Sequence, residues 1–429
     1  MKLVIKNGQV VQSDKTIKAD ILIEDEVIKK IAPSIEVDAK DKKDTKIIDA
    51  KGLHVMAGFV DMHTHLREPG FEYKEDLESG SRAAIAGGYT SVACMPNTMP
   101  VIDNAYLVDY IMNAPFSRDI DVKIYPIGAV TKGQKGVELA EIGLMKKSGI
   151  VAISDDGMPI ENAQIMRQAL EYADSHDVLL ISHCEDMALA NEGCVNEGHN
   201  ATITGLKGIP TISEEAMVSR DILIAEYLDV KIHIAHISTE GSVRLVREAK
   251  KRGVKVTCET CPQYFSATDD EILSFNTFAK MNPPLRTKKH VEAIIEGIKD
   301  GTIDVIATDH APHARDEKNV EFALASNGTV GLETAFSVAF THLVKPSHIT
   351  LEKLSELMSS TPAKLLKVDG GLIKEGEVAD LTIVDLSKHH KVDAQKLHSK
   401  SKNSLFDGWK LTGQIVHTII DGEVKFSKK

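Results

Sequence analysis

The sequence predicts an α/β fold: a (β/α)8 TIM-type barrel carrying a small β-sandwich domain formed by both chain ends. Three observations carry this expectation. Between Gly58 and about Ser360, eight short apolar runs alternate with stretches of helical spacing, the mark of a parallel sheet buried on both faces. About 300 residues for eight such units is the size of a barrel. Outside that stretch each end reads as short strands and turns, too few for a sandwich of its own but enough for one shared by both. The expected division is residues 1–57 and 361–429 as the two parts of the β-sandwich and 58–360 as the barrel. An open doubly wound sheet is the competing arrangement, but no Gly-x-Gly-x-x-Gly follows the first long run.

Composition narrows the function. The 429 residues are 42% hydrophobic, enough for a sizeable core and too apolar for disorder. Lys and Arg total 51 against 63 Asp and Glu, a formal charge of −12 with no basic stretch. That argues against nucleic acid and against an anionic membrane surface. An anionic small-molecule substrate then needs a local cationic pocket. The stretch Met1–Gly8 reads as a strand and a turn rather than a signal peptide, and no run approaches the ~18 apolar residues of a membrane helix. Five cysteines, an odd and sparse set, point to a reduced, cytoplasmic setting. Cys258 and Cys261 have the gap of a redox or zinc pair. No second pair accompanies them, and they read as incidental thiols.

In chain order, Leu3–Ile5, Val10–Val11, Ile21–Ile23, Val27–Ile28 and Ile47–Ile48 are short β runs, divided by Asn7-Gly8 and by charged clusters. Asp38–Lys46 reads as a charged, exposed loop. The barrel runs are Phe59–Leu66, Thr90–Met95, Val122–Val130, Ile150–Ser154, Val178–Ser182, Lys231–Ile237, Val254–Cys258 and Ile303–Thr308. Helical spacing lies between most of them, as in Ile165, Ala169 and Tyr172 or Val243, Val246 and Ala249. Leu381–Val384, Ile415–Ile420 and Val424–Phe426 return to β character, with turns at Gly370-Gly371 and Asp421-Gly422.

A barrel draws its catalytic groups from the C-terminal ends of several strands. Strand one delivers His63, His65 and Arg67 before the Pro69-Gly70 turn, and alternation puts both histidines on one side. Strand two leads to Asn97. Strand four ends in Asp155-Asp156, strand five in His183, strand six in His236, and strand eight in Asp309 followed by His313. Each has a plain structural explanation alone, as a core histidine or a capping acid. Their joint occurrence at strand ends points to a metal site. Four imidazoles and two or three carboxylates exceed one tetrahedral ion and suit two metals about 3.5–4 Å apart with a bridging carboxylate. Zinc suits such donors first, then manganese or cobalt. A hydroxide held between two such ions exists at neutral pH, and an adjacent aspartate can move its proton. The chemistry is that of a metal-dependent hydrolase or cyclase acting on an amide-like bond. His54, His176, His199, His233, His290 and His417 read as surface or core residues.

Four motifs are specific: His63-Thr64-His65-Leu66-Arg67-Glu68-Pro69-Gly70, Met95-Pro96-Asn97-Thr98, Met281-Asn282-Pro283-Pro284-Leu285-Arg286 and Asp309-His310-Ala311-Pro312-His313. They resemble the type I bacterial dihydroorotases of the amidohydrolase superfamily, over essentially the whole chain. The resemblance implies two zinc ions per chain. His63, His65 and Asp309 hold one and His183 and His236 the other, bridged by a strand-four aspartate, Asp156 before Asp155. It implies substrate contacts from His65, Arg67, Asn97, Asn282, His313, Asn327 and Gly328. It implies reversible cyclisation of N-carbamoyl-L-aspartate to L-dihydroorotate in pyrimidine biosynthesis, by a zinc-bound hydroxide with Asp309 as proton relay. A homodimer and association with aspartate transcarbamoylase also fall within it.

Two departures stand out. Gln263-Tyr264 is similar to the hydantoinase and dihydropyrimidinase branch, and Asn327 stands where the resemblance implies an aromatic or proline before Gly328. Those rival enzymes bridge their metals with a carboxylated lysine at the end of strand four, where this chain has none. The other rival is an inactive subunit supporting aspartate transcarbamoylase, a class that loses metal ligands this chain retains. The loop from Ala311 to Gly328 is expected to close over the site.

Overall fold

A computed structural model describes residues 2–37 and 45–428. The first strand, β1 (Lys2–Val11), pairs antiparallel with β2 (Thr16–Glu24), and β2 with β3 (Val27–Ala32). β4 (Thr45–Asp49) and β5 (His54–Ala57) both run parallel to β1. Asn7-Gly8, expected to separate two runs, lies inside β1 instead. The register with β2 shifts between Ile5 and Gly8 and Asn7 takes φ 61°, so the pair forms a bulge and the ladder continues on either side. Asp20 accepts from the Asn7 amide at 2.7 Å and so holds the bulge. Of the expected loop Asp38–Lys46, residues 38–44 lie outside the described residues, and Thr45 and Lys46 already belong to β4.

Each of the eight barrel runs carries one strand. These are β6 (Phe59–Thr64), β7 (Tyr89–Cys94), β8 (Lys123–Gly128), β9 (Ala152–Ser154) and β10 (Leu179–Ser182). After a short ribbon of β11 (Val195–Asn196) and β12 (Gly208–Ile209) come β13 (Ile232–Ile234), β14 (Val256–Thr260) and β15 (Val305–Ile306). Neighbours in this order pair in parallel. The barrel is nearly closed. In place of a ladder between β6 and β15, Asp61 accepts from the Thr308 hydroxyl at 2.5 Å and from its amide at 3.2 Å, and the His65 amide donates to His310 O at 2.9 Å.

The connecting helices follow capping and periodicity. Asp76 and Ser79 form a reciprocal capping box on the helix Leu77–Ala86, and Thr239 caps Glu240–Lys251, which buries Val243, Val246 and Ala249. In Ala163–Ser175 the buried stripe is Met166, Ala169, Leu170 and Ala173. Of the expected trio Ala169 is buried and Ile165 packs half-buried against the same core; Tyr172 is exposed. The last helical run, Leu351 through Leu366, crosses the boundary expected at residue 360. Ala363 and Leu366 share a core with Val60, Met62, Ala93 and Val305, so this run stays with the barrel.

β16 (Leu381–Lys391), β17 (Lys410–Ile420) and β18 (Glu423–Ser427) then complete the separate sheet built by both chain ends, in the order β18-β17-β16-β5-β1-β2-β3. Leu3, Ile5, Ile21, Val55, Leu381 and Ile419 share its core. Residues 392–409 leave this sheet and return to the barrel rim, where Ser399 and Lys400 bond Glu75. Among the described residues, no helix is long and apolar enough to cross a membrane.

Candidate metal and substrate site

The rim of the barrel gathers four imidazoles, three of them anchored at an outer nitrogen, with their inner nitrogens turned toward one another and toward Asp156 and Asp309. Glu259, on β14, places Oε1 2.5 Å from His63 Nδ1. The proton then sits on Nδ1, and Nε2 is left buried with no hydrogen-bond partner. His65 Nδ1 lies 2.9 Å from Asn97 Oδ1, which frees its Nε2, 3.1 Å from Asp309 Oδ1. His183 Nε2 lies 3.2 Å from Glu185 Oε2, and its Nδ1 faces His236 Nε2 at 2.8 Å. These tautomers follow from the outer acceptors, each of which can only receive a proton.

Asp156 stands among all four rings. Its Oδ1 is 3.4 Å from His63 Nε2, 3.6 Å from His183 Nδ1 and 3.5 Å from His236 Nε2, and its Oδ2 is 3.4 Å from His65 Nε2. Two candidate metal-binding groups result, His63–His65–Asp156 and Asp156–His183–His236, with ligand atoms within 4.8 Å of one another in each. Asp309 Oδ1 is 3.6 Å from His63 Nε2. Asp155 turns away, its carboxylate taken up by the amides of Val130 and Thr131 and by the Thr131 hydroxyl. Burial pushes Asp155 up to about 6.

Such a cluster fits a metal better than it fits itself. His63 Nε2 and Asp156 Oδ1 are buried polar atoms without a partner, an arrangement costing about 1–3 kcal/mol per group. Without a metal, burial opposes charge on His63 but Asp156 and Glu259 outweigh it and hold the imidazolium pKa well above the ordinary value, so that a proton occupies Nε2 where a bound cation would replace it. Burial likewise opposes charge on Asp156, and the surrounding imidazoles outweigh it in turn. Imidazole and carboxylate donors with anchored outer atoms are the chemistry of a divalent transition-metal site.

Beside the cluster lies a cavity of about 180 Å³. His65, Arg67, Asn97, Asn282, His313, Asn327 and Gly328 all line it, together with Asp156, His183, His236 and Asp309. Arg67 is buried, and burial brings its pKa down to about 10. Its Nε donates to Pro312 O at 3.1 Å. His313 Nε2 lies 2.7 Å from Asn327 O and 3.3 Å from Arg67 Nη2. The imidazole proton serves the carbonyl, so Arg67 Nη2 finds no acceptor there and keeps its protons for another group. Burial and the Arg67 charge hold His313 neutral, with its pKa lowered to about 2.

The two departures acquire definite places. Tyr264 donates its hydroxyl to Pro283 O at 2.8 Å, bracing the segment that carries Asn282. Asn327 meets His313 through its backbone carbonyl. The segment expected to close, Ala311 to Gly328, is tied at several points, among them Lys318 Nζ to the carbonyls of Thr277, Lys280 and Ser326. Cys258 and Cys261 are free buried thiols, pushed up by burial. Sequence reasoning passed over the glutamate between them. Glu259 also faces His233 Nε2 at 3.4 Å, so His233 is a core residue of the same network. A charged residue inside an otherwise apolar strand was the available signal.

An eight-stranded parallel barrel with this cluster at its rim is the frame of an amidohydrolase. The dihydro-orotase-like family model matches residues 52–242. A dihydroorotase of Acetivibrio thermocellus is 55% identical over 429 residues, covering 100% of this chain and 99% of that one. One of Ruminiclostridium cellulolyticum is 53% identical over 431 residues, with 100% and 99% covered. Among solved structures, an L-hydantoinase from Arthrobacter aurescens superimposes with a TM-score of 0.89 at 27% identity over 99% of this chain and 96% of that one. A dihydropyrimidinase from Brevibacillus agri shares the fold, with a TM-score of 0.85 at 22% identity over 99% and 95%. The chain belongs to the dihydroorotase family.

Proposed function

We propose that this chain interconverts N-carbamoyl-L-aspartate and L-dihydroorotate plus water in the cavity at the barrel rim. The observation that carries this reading is buried Arg67 beside the imidazole cluster. The acids that offset its charge most, Asp309 and Asp156 ahead of Glu317, belong to that cluster. With cations bound there, Arg67 needs another anion, and a substrate carboxylate supplies it in bidentate form.

We assign two zinc ions to the cluster, one held by His63, His65 and Asp309, the other by His183 and His236, with Asp156 shared. When bound they supply Lewis acidity toward the ring amide carbonyl and lower the pKa of a water to about 7. The side chains do the rest. Glu259, Asn97 and Glu185 keep the inner nitrogens of His63, His65 and His183 bare. Asn97, its carbonyl engaged by His65, has its NH2 left for the substrate carboxylate. Asn282 donates to Glu185 at 2.8 Å and has its carbonyl left for a ring N–H. In hydrolysis Asp309 takes the proton of the attacking water and returns it to the ring nitrogen as the C–N bond breaks. In cyclisation one proton runs from the attacking ureido nitrogen through Asp309 to a carboxylate oxygen, and a second, taken up from solvent, lets that oxygen leave as water.

The test is hydrolysis of dihydroorotate by metal-replete protein, followed as loss of ultraviolet absorbance, beside dihydrouracil. Turnover of dihydrouracil alone would overturn the assignment. It would establish a second reading, a hydantoinase-type cyclic amidohydrolase, which the 0.89 TM-score favours. The family reading extends to a cytoplasmic setting, a homodimer and association with aspartate transcarbamoylase. Gel filtration with and without that enzyme tests the last two.

A further inference from the structure

Asn403 is buried and lies outside the cavity, yet its side chain joins three backbone groups of the cavity wall. We infer that Asn403 is the positioning residue for the substrate-facing wall formed by Ala311, His313 and Gly328, an inference that rests on the function proposed above. Its Oδ1 accepts from the His313 amide at 3.0 Å. Its Nδ2 donates to Ala311 O at 3.0 Å and to Gly328 O at 3.1 Å. One acceptor and two donors are thereby all used. The orientation is unambiguous, because a flipped amide would set N–H against N–H and oxygen against two carbonyls.

The wall also holds through the Ala311 amide on Thr329 O at 2.9 Å, the Gly328 amide on Lys280 O at 2.9 Å and His313 Nε2 at 2.7 Å from Asn327 O. Each of those bonds holds one wall residue, whereas Asn403 joins all three at once. Gly328 has φ 133°, and a Cβ there would come within 2.5 Å of Ala311 Cβ, so the Gly328 backbone packs directly against the Ala311 methyl and leaves no room for a side chain of its own. Arg67 depends on the same segment through Pro312 O. The Asn403 carbonyl takes the Val330 amide at 3.0 Å, which extends the brace past Gly328. Asn403 itself is set by its own segment: Ser401 donates to Lys74 O at 2.6 Å, and the Lys400 amide to Glu75 at 3.1 Å. Asn403 touches neither the imidazole cluster nor Asp309. Its loss therefore acts on substrate binding and leaves the metal donors in place.

The experiment compares wild type with Asn403→Asp, which keeps the shape and the acceptor for His313 but turns an oxygen toward two carbonyls. KM for dihydroorotate should rise about tenfold or more, from loss of preorganised contacts, while kcat stays within about threefold. Amide exchange across residues 311–330, measured without substrate, should speed up about tenfold. Metal content should be unchanged. An unchanged KM, unchanged exchange, or a loss that follows metal content or melting temperature overturns the inference. Should Asn403→Asp fail to fold, Asn403→Ser is judged by the same criteria. If wild type turns over no dihydroorotate, the functional reading fails, and the exchange measurement alone decides whether Asn403 holds the wall.

Discussion

Glu259 Oε1 lies 2.5 Å from His63 Nδ1, and both residues are fully buried. This contact sets which nitrogen of His63 is bare. Glu259→Gln keeps the shape but can present an NH2 to Nδ1, which drives the proton onto Nε2. Metal affinity should fall about 10–100-fold, read by competition with a chromogenic chelator. Unchanged affinity would remove Glu259 from the tautomer role.

In the proposed mechanism Asp309 carries the proton. Asp309→Asn should lower kcat by about 10²–10⁴-fold while metal stays bound, because the amide cannot exchange a proton at neutral pH. Steady-state rates with elemental analysis of the same sample check this. Near-normal turnover would exclude the relay.

Arg67→Ala should cost far more with dihydroorotate than with a cyclic amide lacking the carboxylate, by about 10²-fold in the ratio of kcat/KM values. Equal losses for both substrates would mean that Arg67 only holds Pro312.

What the sequence made legible follows from geometry. A barrel brings strand ends together, so His63, His183, His236 and Asp309 could be related without knowing any contact. The choice between Asp155 and Asp156 could not be made from spacing alone, since neighbours on a chain differ by the side they face. Glu259 was hidden because it stands between two cysteines whose gap drew attention, and its partner His63 is 196 residues away. Asn403 was hidden for a different reason. Its segment has no periodicity, and its hydrogen bonds go to backbone groups, which leave no trace in residue type.

Lys318 gives a pH dependence of stability. Its Nζ is buried, and burial together with nearby Lys280 lowers its pKa from 10.5 to about 7, Glu317 opposing weakly. The carbonyls of Thr277, Lys280 and Ser326 accept from Nζ and favour the ammonium; where burial prevails over them, the unfolded chain between about pH 7 and pH 10 holds a proton there that the folded protein lacks. Stability from this group therefore rises with pH across the window, with a slope approaching about 1.4 kcal/mol per pH unit. The gap in urea midpoint between wild type and Lys318→Met should shift in favour of wild type as pH rises. A constant gap would mean that the ammonium stays charged in the fold.

Withdrawal of metal by a chelator should abolish turnover and lower the melting temperature, since a ligand at 100 times its Kd stabilises by about 2.7 kcal/mol. Calorimetry before and after zinc is restored checks both. An unchanged melting temperature would argue that the buried donors satisfy one another.

The return of residues 392–409 to the rim bears on how this protein can be recombined. A chimera that grafts the barrel alone onto a foreign sheet would leave the His313 amide and the carbonyls of Ala311 and Gly328 without the Asn403 side chain. The smallest transplantable catalytic unit is thus discontinuous: eight strands, their helices, and one hairpin insertion borrowed from the far side of the molecule.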